Sequence, residues 1–377
     1  MTSNPWKKVG TFAVVAIASV ALLGGSMIVV NSPGGFNAGL TRTVGSGDSP
    51  GGLLRLGSSA PCDSLDPAQT FDPWCAVVHR TFSRNLMSFS GKPGEQGLVV
   101  VPDLAADLPV VNEDKTSWTF KLRPDVFWSD GAPVTSTDVK YSIQRLFDDS
   151  LQSPIALDTL CLLSTCSAGK PDYKGPYESP TEDLPSIVTP DESTVVFNLN
   201  RSFYKFSRLL ATPQFAPIQL TRDITLRASG ATYASSPSSN GPFVLTIDQA
   251  DLQYSFTKNE LWSQASDGIR IPKVDAMSWK IFPDADSTDQ ALLNGEIDVK
   301  LNYGLAPIAR DATLAQESQR SLIDNPEMSF VNFLVVNPNL PPLDRVPCRD
   351  AIFYALDKVD LQNVRGGSAT AAIAHSL

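Results

Sequence analysis

A chain of 377 residues exceeds one ordinary domain, so two or more folding units are expected. With 42% hydrophobic and 19% charged residues, its composition is that of globular matter and excludes a wholly disordered chain. The net charge of −10 excludes a sequence-independent nucleic-acid binder, which needs a basic face to displace counterions.

Lys7 and Lys8 precede an uncharged, mostly apolar run from Val9 to Val30, and Asn31-Ser32-Pro33-Gly34-Gly35 breaks it. A basic flank followed by an apolar stretch marks a secretory signal or a membrane anchor. The run is long enough to span a bilayer as a helix, which takes about 20 residues. Leu22-Leu23-Gly24-Gly25 has the look of a lipoprotein signal, but Ser26 stands where the lipidated Cys would be, so no lipid anchor is expected. Residues 1–31 therefore read as a signal or transmembrane anchor. Residues 32–51, rich in Gly, Ser and Pro, read as a linker.

The folded part begins with a short strand at Gly52–Gly57, and strands then alternate with helices, which predicts an α/β or mixed domain. Trp118, Phe120 and Leu122 alternate with Thr119, Lys121 and Arg123, as in a strand with one buried face. Thr135 and Asp138 have capping-box spacing, and the helix they open puts Val139, Ile143, Leu146 and Phe147 on one side. Val195, Phe197 and Leu199 alternate as Trp118, Phe120 and Leu122 do, so 113–123 and 190–200 read as equivalent hairpin strands. Ser287 with Gln290 predicts a capped helix ended by Gly295, followed by a strand through Ile297, Val299 and Leu301. A strand over 330–336 and a helix over 349–357 complete the series.

Catalytic chemistry finds little to work with. The two histidines, His79 and His375, lie near no Gly-x-Ser-x-Gly elbow, and the chain has neither a Walker-type loop nor a Gly-x-Gly-x-x-Gly turn. Asp284 and Asp286 read as a solvated turn rather than a glycosidase pair. Of the five cysteines, Cys161 and Cys166 are spaced for a small disulfide loop. Cys348 reads as a core residue, sharing a helix face with Ile352, Ala355, Leu356 and Val359. No metal site, no cofactor and no enzymatic activity are expected.

A set of blocks taken in order carries a resemblance. They are Ser64-Leu65-Asp66-Pro67, Arg80-Thr81-Phe82-Ser83-Arg84-Asn85-Leu86, Val101-Pro102-Asp103-Leu104-Ala105, Trp118–Arg123 and Trp128–Thr135 closing on Asp138-Val139-Lys140-Tyr141. Later come Tyr173-Lys174-Gly175-Pro176-Tyr177, Ser239-Asn240-Gly241-Pro242-Phe243, Leu293–Asp298 and Arg349–Lys358. Together they resemble the dipeptide and oligopeptide receptors among ABC importer solute-binding proteins, in the high-GC Gram-positive branch. The resemblance implies a two-lobed, type II periplasmic-binding-protein architecture, α/β with mixed sheets. It implies a small peptide ligand held in the inter-lobe cleft, with permease and ATPase subunits as partners and a location outside the cytoplasm.

By the same resemblance, Arg84, Asn85, Leu86, Asn240 and Gly241 approach the ligand, as do Phe330 and Asn332 on the strand at 330–332. Where many members carry an acidic residue and Gly before the Leu, this chain has Arg84 and Asn85. Residues 52–330 are expected to form the first lobe, with an inserted subdomain at about 73–185, and 331–377 to begin a second lobe cut short. Truncation is expected to impair binding. A membrane-anchored interaction protein built on the first lobe is the alternative, and a secreted hydrolase is a further one.

Overall fold

The computed structural model describes residues 50–92, 94–302, 304–317, 334–364 and 373. The run at 9–30 and the candidates Phe330 and Asn332 lie outside them. No described helix is long and apolar enough to cross a membrane.

β1 (Leu53–Ser58) opens the chain, and α1 (Pro73–Phe82) follows with a proline in its first turn, where no amide partner is needed. Two short strands, β2 (Met87–Phe89) and β3 (Val100–Pro102), pair antiparallel. Next come β4 (Val110–Val111), β5 (Ser117–Lys121), α2 (Ser136–Arg145) and α3 (Leu157–Leu160). A small ladder, β6 (Cys166–Ser167) with β7 (Lys170–Pro171), precedes β8 (Ile187–Asp191) and β9 (Thr194–Asn198). After α4 (Phe206–Leu209) and α5 (Leu220–Ala228) the chain forms the hairpin β10 (Phe243–Gln249) and β11 (Gln253–Lys258). It continues through β12 (Ala276–Ile281), α6 (Ala285–Leu293), β13 (Val299–Lys300) and α7 (Pro307–Leu314).

Two sheets organise this series. The larger is mixed, in the order β10-β11-β12-β1-β13, with β1 parallel to both β12 and β13. The smaller is antiparallel, in the order β4-β5-β9-β8. The alternation expected in the two similar segments is present, and the segments pair with each other: Trp118 faces Phe197 and Phe120 faces Val195. Their inward faces form a core with Ile143, Phe147 and Phe206, in which Phe120, Phe197 and Phe206 pack edge-on. Burying each such side chain contributes about 2 kcal/mol. A second core lies on the larger sheet, where Trp74, Cys75, Val78 and Phe82 of α1 meet Phe243, Phe256, Met277 and Trp279.

Each core draws on distant parts of the chain. α1 belongs with the larger sheet, and β8 and β9 belong with the smaller one. The physical reason is that α1 presents its apolar stripe to β10, while β9 supplies the partner that β5 requires.

The capping box forms as expected: Thr135 Oγ1 accepts from the Asp138 amide, and the Asp138 carboxylate accepts from the Thr135 amide at 3.0 Å. The cap of α6 does not. Asp284, not Ser287, is its N-cap, accepting the Ser287 amide at 2.7 Å. An aspartate three positions earlier meets the same need, so the Ser-Gln spacing was misleading. The strand expected through Ile297 shortens to β13, with Ile297 buried against Phe282 and Ala291 instead. Residues 334–336 hold no regular structure.

The helix expected at 349–357 spans Val346–Ala355, and a further helix covers Lys358–Val364. Neither has a buried residue, and Phe353 and Tyr354 are 78% and 91% exposed. Cys348 is accordingly half-buried rather than a core residue, because no described element packs over its helix face. Cys161 and Cys166 form a disulfide beside the β6–β7 turn.

Candidate functional site

Five of the candidate residues come together where the two cores meet. α1 ends at Phe82, and the chain leaves it extended through Ser83. The Phe82 carbonyl accepts the amides of Asn240 and Gly241 at 3.1 and 2.9 Å and the Ser239 hydroxyl at 2.7 Å. A Cβ at Gly241 would stand 2.8 Å from the Phe82 carbonyl carbon, so the turn approaches closely enough to require glycine. In return, Asn240 Oδ1 accepts the Arg84 amide at 2.8 Å. Asn240 Nδ2 is buried without a hydrogen-bond partner among the described residues.

Arg84 has no exposed side-chain surface. Its Nε donates to Asp103 Oδ1 at 2.8 Å, and its terminal nitrogens donate to the Asp103 carbonyl, the Ser266 carbonyl and the Ser266 hydroxyl. Arg270 completes the group, bonded to both Asp103 oxygens at 3.0 and 2.9 Å and to Asp267 at 3.0 Å. Two guanidinium groups thus face two carboxylates, and every buried charge has a partner of opposite sign. Burial opposes ionisation of Asp103, but Arg270 and Arg84 outweigh it and hold its carboxyl below the ordinary range. Burial likewise works against the Arg270 charge, and Asp103 and Asp267 raise its pKa instead.

Asn85 is half-buried, with its side-chain amide donating to the Leu210 and Thr212 carbonyls. Leu86 is 1% exposed and packs in the core of the smaller sheet. Asn240 and Gly241 are buried as well. The Arg84 side chain bonds Asp103 and Ser266 and its amide bonds Asn240, so it ties Asp103 to the 239–241 turn.

A second ionic group ties other blocks together. Arg145 of α2 pairs with Asp66, both enclosed, and lies 3.5 Å from Asp223 of α5. Tyr141 and Tyr177 donate to Asp223 at 2.6 and 2.7 Å, and burial followed by that carboxylate pushes the Tyr141 hydroxyl up. Gly175 has a φ of +86°, and a Cβ there would lie 2.9 Å from the Asp148 amide. The Tyr-Lys-Gly-Pro-Tyr block is thus a tight turn that delivers Tyr177 to Asp223. Nearby, Trp128–Thr135 is pinned to the same region as Asn240: the Ser129 amide donates to the Ser239 carbonyl at 2.7 Å, and Trp128 Nε1 donates to Asp138.

The blocks that carried the resemblance are largely junction residues. Asp103, Asp66 and Tyr177 lie within these blocks, where no spacing pattern marks them. Asp267 and Arg270 lie in a loop whose sequence gives no periodic signal. Among the described residues one group could offer metal-ligand atoms, Asp63, Asp72 and Cys75, but both Asp63 oxygens already accept backbone amides.

Comparison with known proteins agrees with this architecture. The profile of the bacterial extracellular solute-binding proteins, family 5 Middle, matches residues 99–376. A probable D,D-dipeptide-binding periplasmic protein of Escherichia coli is 26% identical over 318 residues, covering 83% of this chain and 55% of its own. An oligopeptide-binding protein of Bacillus subtilis is 25% identical over 352 residues, covering 92% of this chain and 60% of its own. The solved structure of a clavulanic acid biosynthesis oligopeptide binding protein 2 is 38% identical with a TM-score of 0.74, over 85% of this chain and 57% of that one. The chain therefore spans a little over half the length of these relatives, which are binding proteins rather than enzymes, and its fold is the mixed α/β fold of type II periplasmic peptide-binding proteins. By its match over residues 99–376, the chain belongs to the family 5 bacterial extracellular solute-binding proteins.

Proposed function

We propose that this chain is the extracytoplasmic peptide-binding component of an ABC importer. The observation that carries the reading is the likeness to an oligopeptide-binding protein across most of the chain, in sequence and in fold alike. The ligand is a short peptide taken up in extended form, its backbone met by main-chain groups and its termini by charges. It is enclosed as two lobes close about a hinge, then handed to the permease while the ATPase subunits drive transport. Residues 9–30 either anchor the protein in the membrane or direct its export before removal, which places it outside the cytoplasm.

Within the described residues, the junction of Arg84, Asn85, Leu86, Asn240 and Gly241 serves as the frame bordering the ligand cleft. Asn85, the half-buried member, lies nearest to a binding role. Phe330 and Asn332 complete the set as ligand neighbours.

Calorimetric titration of the protein with defined di- to pentapeptides tests this reading. Saturable heat with peptides, and none with free amino acids or sugars, is the expected result. Saturable heat with a sugar or a metal chelate, and none with any peptide, would place the chain with a different solute.

A further inference from the structure

Two thiols outside the Cys161–Cys166 disulfide sit at the base of α1. Cys75 is wholly buried in the first turn of that helix, inside the core of the larger sheet. Cys62 is half-buried on the loop after β1 and packs against the same core. Asp63 holds the two ends of the intervening loop together, since its Oδ2 accepts the amides of Phe71 and of Asp72, the latter at 2.9 Å. The Asp72 carbonyl then accepts the Cys75 amide at 3.1 Å. As a result the Asp63 carboxylate, next in sequence to Cys62, lies within 4.8 Å of Cys75 Sγ. Cys62 is the neighbour that acts most strongly on the Cys75 thiol.

We propose that Cys62 and Cys75 are a second disulfide pair, closed when the exported chain meets a disulfide oxidant. The bond would staple the loop carrying Ser64–Pro67 to α1, and with it Asp66, the carboxylate that Arg145 requires. The neighbouring Cys62, with burial next, raises Cys75 above the ordinary thiol range, so Cys75 stays protonated while the more accessible Cys62 meets the oxidant. Cys62, as thiolate, attacks one sulfur of the oxidant disulfide, forming a mixed disulfide and expelling a first thiolate, which takes up the Cys62 proton. Cys75 then gives up its proton and attacks the Cys62 sulfur, expelling the second thiol. One S–S bond forms in the chain, and the oxidant leaves as two thiols carrying the two electrons and two protons.

The test uses the full chain, reduced and then incubated with oxidised glutathione. It is unfolded, alkylated before and after reduction, and mapped by mass spectrometry of its peptides. The expected map shows only Cys348 alkylated before reduction, with a peptide pair bridged between Cys62 and Cys75. Cys62→Ser should leave Cys75 open to alkylation and lower the unfolding midpoint by about 5 °C under oxidising conditions only. Alkylation of both Cys62 and Cys75 in the oxidised wild-type chain would overturn the proposal. So would a bridge from either one to Cys348, or glutathione retained on Cys62.

Discussion

Arg84 Nε donates to Asp103 Oδ1 at 2.8 Å, and neither side chain has any exposed surface. This pair joins the chain leaving α1 to the strand β3 region, and through Ser266, Asp267 and Arg270 to the segment that precedes β12. Removing one member of a buried ion pair costs about 3–5 kcal/mol, and Arg84→Met, which leaves Asp103 with Arg270 alone, should cost toward the lower end of that range. Arg84→Lys should recover little of it, because one ammonium cannot reach the Asp103 carboxylate, the Asp103 carbonyl and both Ser266 oxygens. Urea unfolding of the three proteins measures this. A loss below about 1 kcal/mol in Arg84→Met would show that the pair does not hold the junction.

Gly241→Ala should destabilise through crowding alone, since its added Cβ would meet Phe82 backbone at 2.8 Å. The expected cost is about 1–3 kcal/mol. Gly230→Ala is the comparison for glycine replacement without crowding, as nothing lies within 4 Å of its Cβ position, though its positive φ carries a smaller cost of its own. Equal losses in the two variants would argue against close approach at the 239–241 turn.

The two members of the capping box differ in reach. Thr135→Ala removes one cap acceptor and should cost about 1 kcal/mol. Asp138→Ala also removes the acceptor for the Leu220 amide at 2.9 Å and for Trp128 Nε1 at 3.2 Å, so its loss should be two- to three-fold larger, about 2–3 kcal/mol. Thermal unfolding of both variants ranks them, and a Thr135→Ala loss equal to or above that of Asp138→Ala would contradict the assignment.

His79 sets a pH dependence near neutrality. Burial lowers its pKa, opposed by the Ser64 carbonyl and by Asp66 and Asp63. Its folded-state pKa therefore lies below the unfolded value of about 6.5, and the unfolded chain binds the extra proton. Stability from this group is complete well above that value and is lost as pH falls through it toward the lower folded-state pKa. Asp103, also depressed in the folded state, adds a loss only at more acid pH, below about 4. In His79→Gln the first decline should vanish while the second remains, as read from urea midpoints across the pH range.

Much of the fold was legible because its signals are local. Trp118, Phe120 and Leu122, or Val195, Phe197 and Leu199, announce strands through a two-residue period imposed by one buried face. The Thr135–Asp138 box is visible for the same reason, all its partners lying within one turn. What escaped reading is the polar junction. Arg270 reaches Asp103 across 167 positions and Arg84 reaches Ser266 across 182, separations at which no spacing rule operates. Arg84 shows the consequence. The resemblance alone placed it near the ligand, and only the folded chain shows it enclosed by its own carboxylate partners. The exposed helix at Val346–Ala355 is the reverse case, because an apolar face is legible in sequence whereas the element that covers it is not.

Peptide capture for import is tested most directly by uptake of a labelled peptide by cells lacking the encoding gene. Uptake of short peptides should fall in these cells and return when the gene is restored, with amino-acid uptake unchanged. Peptide uptake equal to that of the parent cells, with a fall in transport of some other solute, would contradict the account.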